Sequence, residues 1–237
     1  MKKLKLLVLL LFVVSICYSQ QNKDSSDVSA NMGADLVSRY VWRGLSLSAS
    51  PNIQPYLEFS YNNFAIGAWG SYATSGNFAE ADLYMSYSVK SLTIGVTDYY
   101  TEDELDLSRF DHFNWKSNST NHAVEASLDY SLNGKIPLSF KAAAIVYGND
   151  RDIKGHQMYS AYLELSYSFN IRTYQMRLAL GGTPYKGLYA EEASIVHIGL
   201  SATRTIKISD HYEIPLSVSL ISNPSSEDVF LLLAFSF

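Results

Sequence analysis

The chain has 237 residues, of which 47% are hydrophobic, 14% aromatic and 17% charged, and its formal net charge is −5. This acidic balance argues against a nucleic-acid-binding protein. The only cysteine, Cys17, excludes an intrachain disulfide, and neither a cysteine-based metal site nor another cofactor is expected.

The first predicted element is a signal for export. Three lysines precede an apolar run over residues 6–14, and small and polar residues follow it. This layout is typical of a secretory signal peptide, and the apolar run is too short for a membrane-spanning helix. Lipidation at Cys17 is less favoured, because Ile16 is bulky for that cleavage rule. We expect residues 1–19 to be removed, which leaves residues 20–237 as one domain with 15 basic and 23 acidic residues.

The rest of the chain contains many segments in which apolar and polar residues alternate. In NIQPYLEFSY, Ile53, Leu57 and Phe59 share one face, and Gln54 and Glu58 share the other. Alternation over about ten residues predicts a β-strand long enough to cross a bilayer at a tilt. About twelve such strands are predicted, beginning near Ala30, Asn52, Phe64, Ala79, Leu92, Asn121, Leu138, Met158, Tyr174, Ser194, Glu213 and Asp228. The predicted fold is therefore all-β, a transmembrane antiparallel up-and-down β-barrel.

The connections between these strands alternate in length. Short turns are predicted at Asn62–Asn63 and Lys90–Ser91, in NGKIP from Asn133 and in NIRT from Asn170, and long loops at Arg43–Pro51, Thr101–Thr120, Gly148–Gln157 and Gly182–Ala193. Outer-membrane barrels have short periplasmic turns and longer extracellular loops. We therefore expect the chain to lie in the bacterial outer membrane, in contact with its lipids, with the long loops outside.

Aromatic residues are expected to form a ring at each membrane interface. One ring contains Tyr61, Tyr87 and Tyr130, and the other contains Tyr72, Tyr100 and Tyr159.

The last strand predicts how the barrel closes. Val229, Leu231 and Leu233 share one face of this strand, which ends at Phe237. We expect it to pair with the first strand, so that no edge stays open. A terminal Phe after alternating hydrophobic residues resembles the signal that the barrel-assembly machinery recognises, and that machinery is the expected protein partner.

The polar faces of the strands predict the lining of the lumen. The candidate lumen residues are Glu58, Glu80, Asp82, Glu125, Asp129, Lys141, Glu164 and Arg177. These charges either line a narrow wet channel for small polar solutes or cations, or pair with one another and fill the lumen. A barrel of about 8 strands is filled by side chains and one of about 16 encloses a channel, so twelve strands allow both interpretations.

The segment GADLVSRYVWRGLSLS, residues 33–48, resembles the opening strand and first loop of the TorF-like outer-membrane porins. The matching residues are Asp35, Ser38, Arg39, Tyr40, Trp42, Arg43 and Gly44. The resemblance implies an outer-membrane barrel with a role in passive transport, and it assigns no catalytic residue.

An enzyme at the barrel rim is the alternative function class. A catalytic serine–histidine pair needs both side chains within hydrogen-bond distance of each other. The residues that follow His197 do not form the serine–asparagine pattern of outer-membrane phospholipases. Asp111–His112 resembles the Asp–His pair of outer-membrane aspartyl proteases, but a solvated pair in an acidic loop is the simpler interpretation. No metal-ligand spacing, phosphate loop or nucleophile elbow occurs. We therefore predict a non-enzymatic narrow porin, with a rim enzyme or a non-conducting structural barrel as alternatives.

Overall fold

The computed structural model describes residues 28–102, 104–106, 108, 111–132, 137–210 and 212–237. The predicted signal peptide and most of the predicted turn that begins at Asn133 lie outside these residues. In this described part of the chain, no helix has the length and hydropathy needed to cross a membrane.

Fourteen β-strands form in the described residues, and twelve of them close into one antiparallel barrel. The strands are β1 Val28–Val37, β2 Tyr40–Trp42, β3 Leu45–Ser48, β4 Asn52–Tyr61, β5 Phe64–Ala73, β6 Ala79–Val89, β7 Leu92–Glu102, β8 His122–Ser131, β9 Leu138–Gly148, β10 Ala161–Ile171, β11 Tyr174–Thr183, β12 Ser194–Ser209, β13 Tyr212–Asn223 and β14 Asp228–Ser236. The barrel strands follow one another in chain order, while β2 and β3 pair only with each other. The predicted all-β barrel of about twelve strands is confirmed.

The strand boundaries agree closely with the alternation in the sequence. Eight of the twelve barrel strands begin at the predicted residue. The largest difference is at β10, which begins at Ala161 instead of Met158. Tyr159 has a φ of 56°, and Ser160 Oγ donates a hydrogen bond to Asp150 Oδ1 at 2.5 Å. These two features hold the chain in the preceding loop, so that the extended conformation starts later.

The barrel closes between its first and last strands, as the sequence predicts. Three residue pairs join β1 to β14, from Asp35–Ser236 to Val37–Ala234. Ala34 and Phe237 also exchange backbone hydrogen bonds of 3.2 and 2.9 Å. Each strand of the barrel therefore has two neighbours, although this contact is much shorter than the ten-residue pairing of β1 with β4.

The strands present their apolar faces outward and their polar faces to the lumen, as predicted. Leu83, Met85 and Leu163 are each about half exposed on the outer wall, whereas Glu80 and Glu125 are buried inside. In a closed barrel the outer wall contacts no other part of the protein, so this apolar surface needs an apolar surrounding such as lipid.

The aromatic rings agree with the prediction except at one position. Tyr61, Tyr87 and Tyr130 are exposed at one end of the barrel, and Tyr72 and Tyr159 are exposed at the other. The prediction for Tyr100 is wrong, because its side chain is buried. The loop between β7 and β8 folds over it, and the ring of His112 lies 4.6 Å from that of Tyr100.

The two ends of the barrel differ in the length of their connections. The turns after β4, β6, β10 and β12 contain two residues each, and they lie at one end, which we call the short-turn end. The loops after β1, β7, β9 and β11 lie at the opposite end, the long-loop end. Two connections there are also short, residues 74–78 and 224–227. The predicted asymmetry in connection length is therefore present.

Candidate functional site

The first loop folds into a hairpin that the sequence did not predict. In this hairpin, residues 40–48, Trp42 pairs with Leu45 across a two-residue turn. Arg43 and Gly44 form the turn with φ values of 51° and 83°, the left-handed conformation that type I′ turns require. We call residues 40–48 the lumen hairpin, because its contacts place it inside the barrel.

The lumen hairpin reaches across the barrel at the long-loop end. On one side, the ring of Tyr40 packs 5.5 Å from that of Trp69 in β5. On the opposite side, Asn223 of β13 donates a hydrogen bond to the Gly44 carbonyl at 3.2 Å. A Cβ atom at Gly44 would overlap the backbone carbonyl of Val196 in β12. The hairpin thus touches opposite walls and narrows the lumen at this level.

Arg43 makes the strongest polar contacts of the lumen hairpin. Its guanidinium donates to both carboxylate oxygens of Glu125 in β8, at 2.5 and 2.8 Å. Arg43 also donates to the Tyr189 hydroxyl at 2.5 Å, and the Tyr99 hydroxyl donates to Glu125 at 3.1 Å. The side chains of Arg43 and Glu125 are only 9% and 2% exposed. Such a buried two-point ion pair fixes both partners in position.

Aromatic rings surround the guanidinium of Arg43. Its carbon lies 4.4 Å from the ring centre of Trp42, 4.7 Å from that of Tyr162 and 5.9 Å from that of Tyr189. These distances suit cation–π attraction. Tyr162 and Tyr189 also pack with Val196 in the buried apolar cluster at this end. The long-loop end of the lumen is therefore closed by tight packing as well as by charge.

The pKa values near the hairpin fit these contacts. Burial by itself lowers the pKa of Arg43, but its hydrogen bond with Glu125 and nearby negative charge raise it above its usual value. Burial also raises the pKa of the Tyr40 and Tyr189 hydroxyls. Arg43 accordingly keeps its charge and both tyrosines keep their protons, so the contacts persist at neutral pH.

Four of the predicted lumen residues form a row of alternating charges on neighbouring strands. Asp129 of β8 faces Lys141 of β9, which in turn faces Glu164 of β10 in the strand register. Lys141 contacts Asp129 at 2.9 Å, and Arg177 of β11 contacts Glu164 at 2.5 Å. Asp129, Lys141 and Arg177 are 40%, 34% and 49% exposed. Except for Glu164, which is 11% exposed, this row is far more accessible than the Arg43–Glu125 pair.

The other three predicted acids lie on β4 and β6, without a basic partner among the described residues. Glu58 of β4 accepts a hydrogen bond from the Tyr84 hydroxyl at 3.0 Å. Glu80 and Asp82 of β6 are buried near Tyr40, and burial of the Tyr40 hydroxyl together with these nearby carboxylates raises its pKa. The structure thus divides the eight candidates between a paired row, the ion pair with Arg43 and these three acids.

The sequence reasoning missed the residues that close the lumen. Tyr99, Tyr162 and Tyr189 are not among its candidates, and neither is Arg43 as a lumen residue. A signal was present for two of them. Tyr162 lies on the inward face of β10 together with polar residues. Arg43 lies in the segment that resembles the porin opening strand. No local pattern marks Tyr189, which comes from a loop.

At the long-loop end, both ring nitrogens of His122 have hydrogen-bond partners. His122 Nδ1 lies 2.9 Å from the Asp98 carboxylate, and His122 Nε2 lies 2.8 Å from the His112 carbonyl oxygen. The backbone N–H of Asp111 donates to the Tyr100 hydroxyl. The Nδ1 atom of His122 thus joins β8 to β7, and its Nε2 atom holds the loop against the barrel. Within the ranges that the structure describes, no cluster of three or more His, Cys, Asp or Glu side chains is arranged to hold a metal ion.

Comparisons with known proteins identify a family and similar folds. A family model described as "Bacterial protein of unknown function (Gcw_chp)" matches residues 19–212. The chain matches no curated protein. Among solved structures, it is similar to a KdgM porin with 10% identity and a TM-score of 0.48, over 88% of this chain and 98% of that one. It is also similar to a triple mutant of the Rhodopseudomonas blastica porin with 11% identity and a TM-score of 0.35, over 89% of this chain and 99% of that one.

Proposed function

The chain belongs to the Gcw_chp family of bacterial proteins of unknown function, and we propose that it is an outer-membrane barrel with a narrow, gated pore for small polar solutes or cations. The observation that carries this proposal is the contrast between the two halves of the lumen. The Arg43–Glu125 pair at the long-loop end is almost inaccessible, whereas Asp129, Lys141 and Arg177 are one-third to one-half exposed.

The accessible half of the lumen has the chemistry of a wet passage. Hydroxyl groups face one another on its wall, as between Thr203 and Ser217 at 2.7 Å and between Ser131 and Ser139 at 3.1 Å. Polar lumens of this kind hold water in membrane barrels. The lumen hairpin, together with Tyr189 from the loop after β11, then separates this half from the long-loop opening. We propose that the pore opens when the hairpin leaves its place.

The membrane location is part of the same proposal. The apolar outer wall and the exposed tyrosines at both ends fit a bilayer with its two interfaces. We propose that residues 1–19 direct export, that the barrel-assembly machinery inserts the chain through its last strand, and that outer-membrane lipid surrounds residues 20–237. The resemblance of residues 33–48 to the TorF-like porins agrees with a transport role.

A non-conducting structural barrel is the second candidate, and the packed Arg43 cluster favours it. Single-channel recording in a planar bilayer separates the two. A gated pore is expected to show small, infrequent conductance steps in the natural protein and frequent steps when the hairpin is loosened. Silence of both proteins, with correct folding shown by heat-modifiable electrophoretic mobility, would support the structural barrel.

We predict that the open pore prefers cations. Glu58, Glu80 and Asp82 have no basic partner in the described part of the chain, whereas three of the other lumen acids are paired. Unbalanced acids raise the local cation concentration. The reversal potential across a salt gradient measures this preference, which should fall in Glu58→Gln. It should also fall near 1 M salt, where the screening length is about 3 Å. Anion preference in the natural protein would contradict the prediction.

The orientation of the barrel is a separate prediction. Ser108 lies in a long loop and is exposed, whereas Ser91 lies in a short turn. A membrane-impermeant thiol reagent on intact cells should label Ser108→Cys and leave Ser91→Cys unlabelled, because long loops face outward in outer-membrane barrels. After the cells are broken, both variants should react. The reverse pattern on intact cells would show that the short-turn end faces outside.

A further inference from the structure

A cavity of about 180 Å³ lies between the lumen hairpin and the barrel wall. Trp42, Leu45 and Leu47 of the hairpin form one side, and Tyr99 and Ile145 belong to the facing wall. Ala123, Thr101, Leu188, Asn121 and Asn149 also line it, and the last two are exposed at the long-loop end. The cavity is therefore a space that the hairpin leaves unfilled, next to the outer opening of the barrel.

One charged group, Glu80, lines this otherwise mostly apolar cavity. Glu80 is 4% exposed, and its Oε2 atom has no hydrogen-bond partner among the described residues. A buried carboxylate oxygen without a donor is costly, so the site is incomplete as it stands. No lysine or arginine lines the cavity. The group that this oxygen lacks is a hydrogen-bond donor, and a positively charged donor suits a carboxylate best.

The other lining residues determine the size and polarity of a group that could occupy the cavity. The rings of Trp42 and Tyr99 lie 5.4 Å apart, and aromatic faces attract both apolar groups and ammonium ions. An apolar cavity of about 150 Å³ holds a benzene molecule. A space of about 180 Å³ therefore fits one ring or a branched alkyl group with a short amino arm, and it is too small for a drug-sized molecule.

We propose that this cavity binds a small organic ammonium ion, with the ammonium group on Glu80 and the apolar body against the side chains of Trp42 and Tyr99. The proposal does not depend on conduction, because the cavity is formed by the closed arrangement of the hairpin. It adds a recognition site at the outer opening to the proposed pore.

Isothermal titration calorimetry of the folded full-length barrel in detergent tests the site, with benzylamine as the probe. Benzyl alcohol is the neutral control of nearly the same shape. We expect saturable one-to-one binding of benzylamine, and binding of benzyl alcohol weaker by about tenfold or more, because a charge-assisted hydrogen bond is lost. Equal affinity for the two compounds, or no saturable binding of benzylamine, would overturn the proposal.

Three variants separate the carboxylate from the cavity shape. Glu80→Gln should weaken benzylamine binding by about tenfold or more, whereas Glu58→Gln, an acid outside the cavity, should leave it unchanged. Ala123→Phe should abolish binding by filling the space. Unchanged affinity in Glu80→Gln would overturn the proposal, and if that variant does not fold, Ala123→Phe and the benzyl alcohol comparison decide. Conductance of the natural protein without benzylamine tests the pore separately.

Discussion

Replacing Arg43 with alanine is expected to lower the free energy of unfolding by about 3–5 kcal/mol and to increase the open time of the proposed pore. The energetic cost arises because Glu125, which is 2% exposed, loses its cationic partner in a buried place. The increase in open time arises because the lumen hairpin loses its main polar contact with β8. Denaturant titration in lipid vesicles measures the first effect, and single-channel recording measures the second.

The chain contains a matched control for this experiment. Lys141→Ala breaks the pair with Asp129. In this pair the side chain of Lys141 is 34% exposed and that of Asp129 is 40% exposed. Water screens such a pair, so the cost should be at most about 1 kcal/mol, and the open time should not change. The double variant Arg43→Ala/Glu125→Ala should be less unstable than the sum of the single variants, because no unpaired charge remains. Equal open times in Arg43→Ala and the natural protein would show that the hairpin is not the gate.

The second large effect is expected on the outer wall. Leu163 is 41% exposed on the apolar face of β10, and Leu163→Arg should lower the free energy of unfolding by about 2–4 kcal/mol in a bilayer. A charged side chain at this level would lie among lipid chains, which cannot solvate it. The same denaturant titration in vesicles measures the change.

The neighbouring residue on the inner face supplies the comparison. Glu164 accepts hydrogen bonds from Tyr162 at 2.7 Å and from Arg177 at 2.5 Å. A glutamine there can still accept the bond from Arg177, and its amide N–H can donate to the Tyr162 hydroxyl. Because Arg177 is half exposed, Glu164→Gln should cost about 1 kcal/mol or less. Equal costs for the two variants would mean that the outer wall of the barrel is not in contact with lipid.

The paired row in the lumen shows how far sequence reasoning extends to the site. Asp129 and Lys141 lie on adjacent strands. The alternation of apolar and polar residues places both side chains inward, and the short connection between the strands sets the register in which the two residues face each other. Their pairing follows from local pattern and register together. A count of all inward charges therefore overestimates the expected preference for cations, because paired acids attract cations weakly. Only Glu58, Glu80 and Asp82 remain as unbalanced acids among the described candidates.

By itself, the sequence determined which residues form strands, which face of each strand points outward, and that the last strand pairs with the first. These features follow from a side-chain period of two and from the need to satisfy every backbone group in an apolar surrounding. Both rules act along the chain or between neighbouring strands. Ile53, Leu57 and Gln54 could therefore be assigned to faces before the structure was known.

Only the tertiary structure decided what fills the lumen. Arg43 and Glu125 are 82 positions apart, and Arg43 and Tyr189 are 146 positions apart. Whether a loop turns into a barrel or away from it depends on the space and partners available across the lumen, and no local period encodes that choice. The inward course of the lumen hairpin rests on a left-handed turn at Arg43 and Gly44 and on the buried acid that receives the guanidinium. Burial of that charge is favourable only when its partner is already in place, so the closed lumen is a property of the folded barrel.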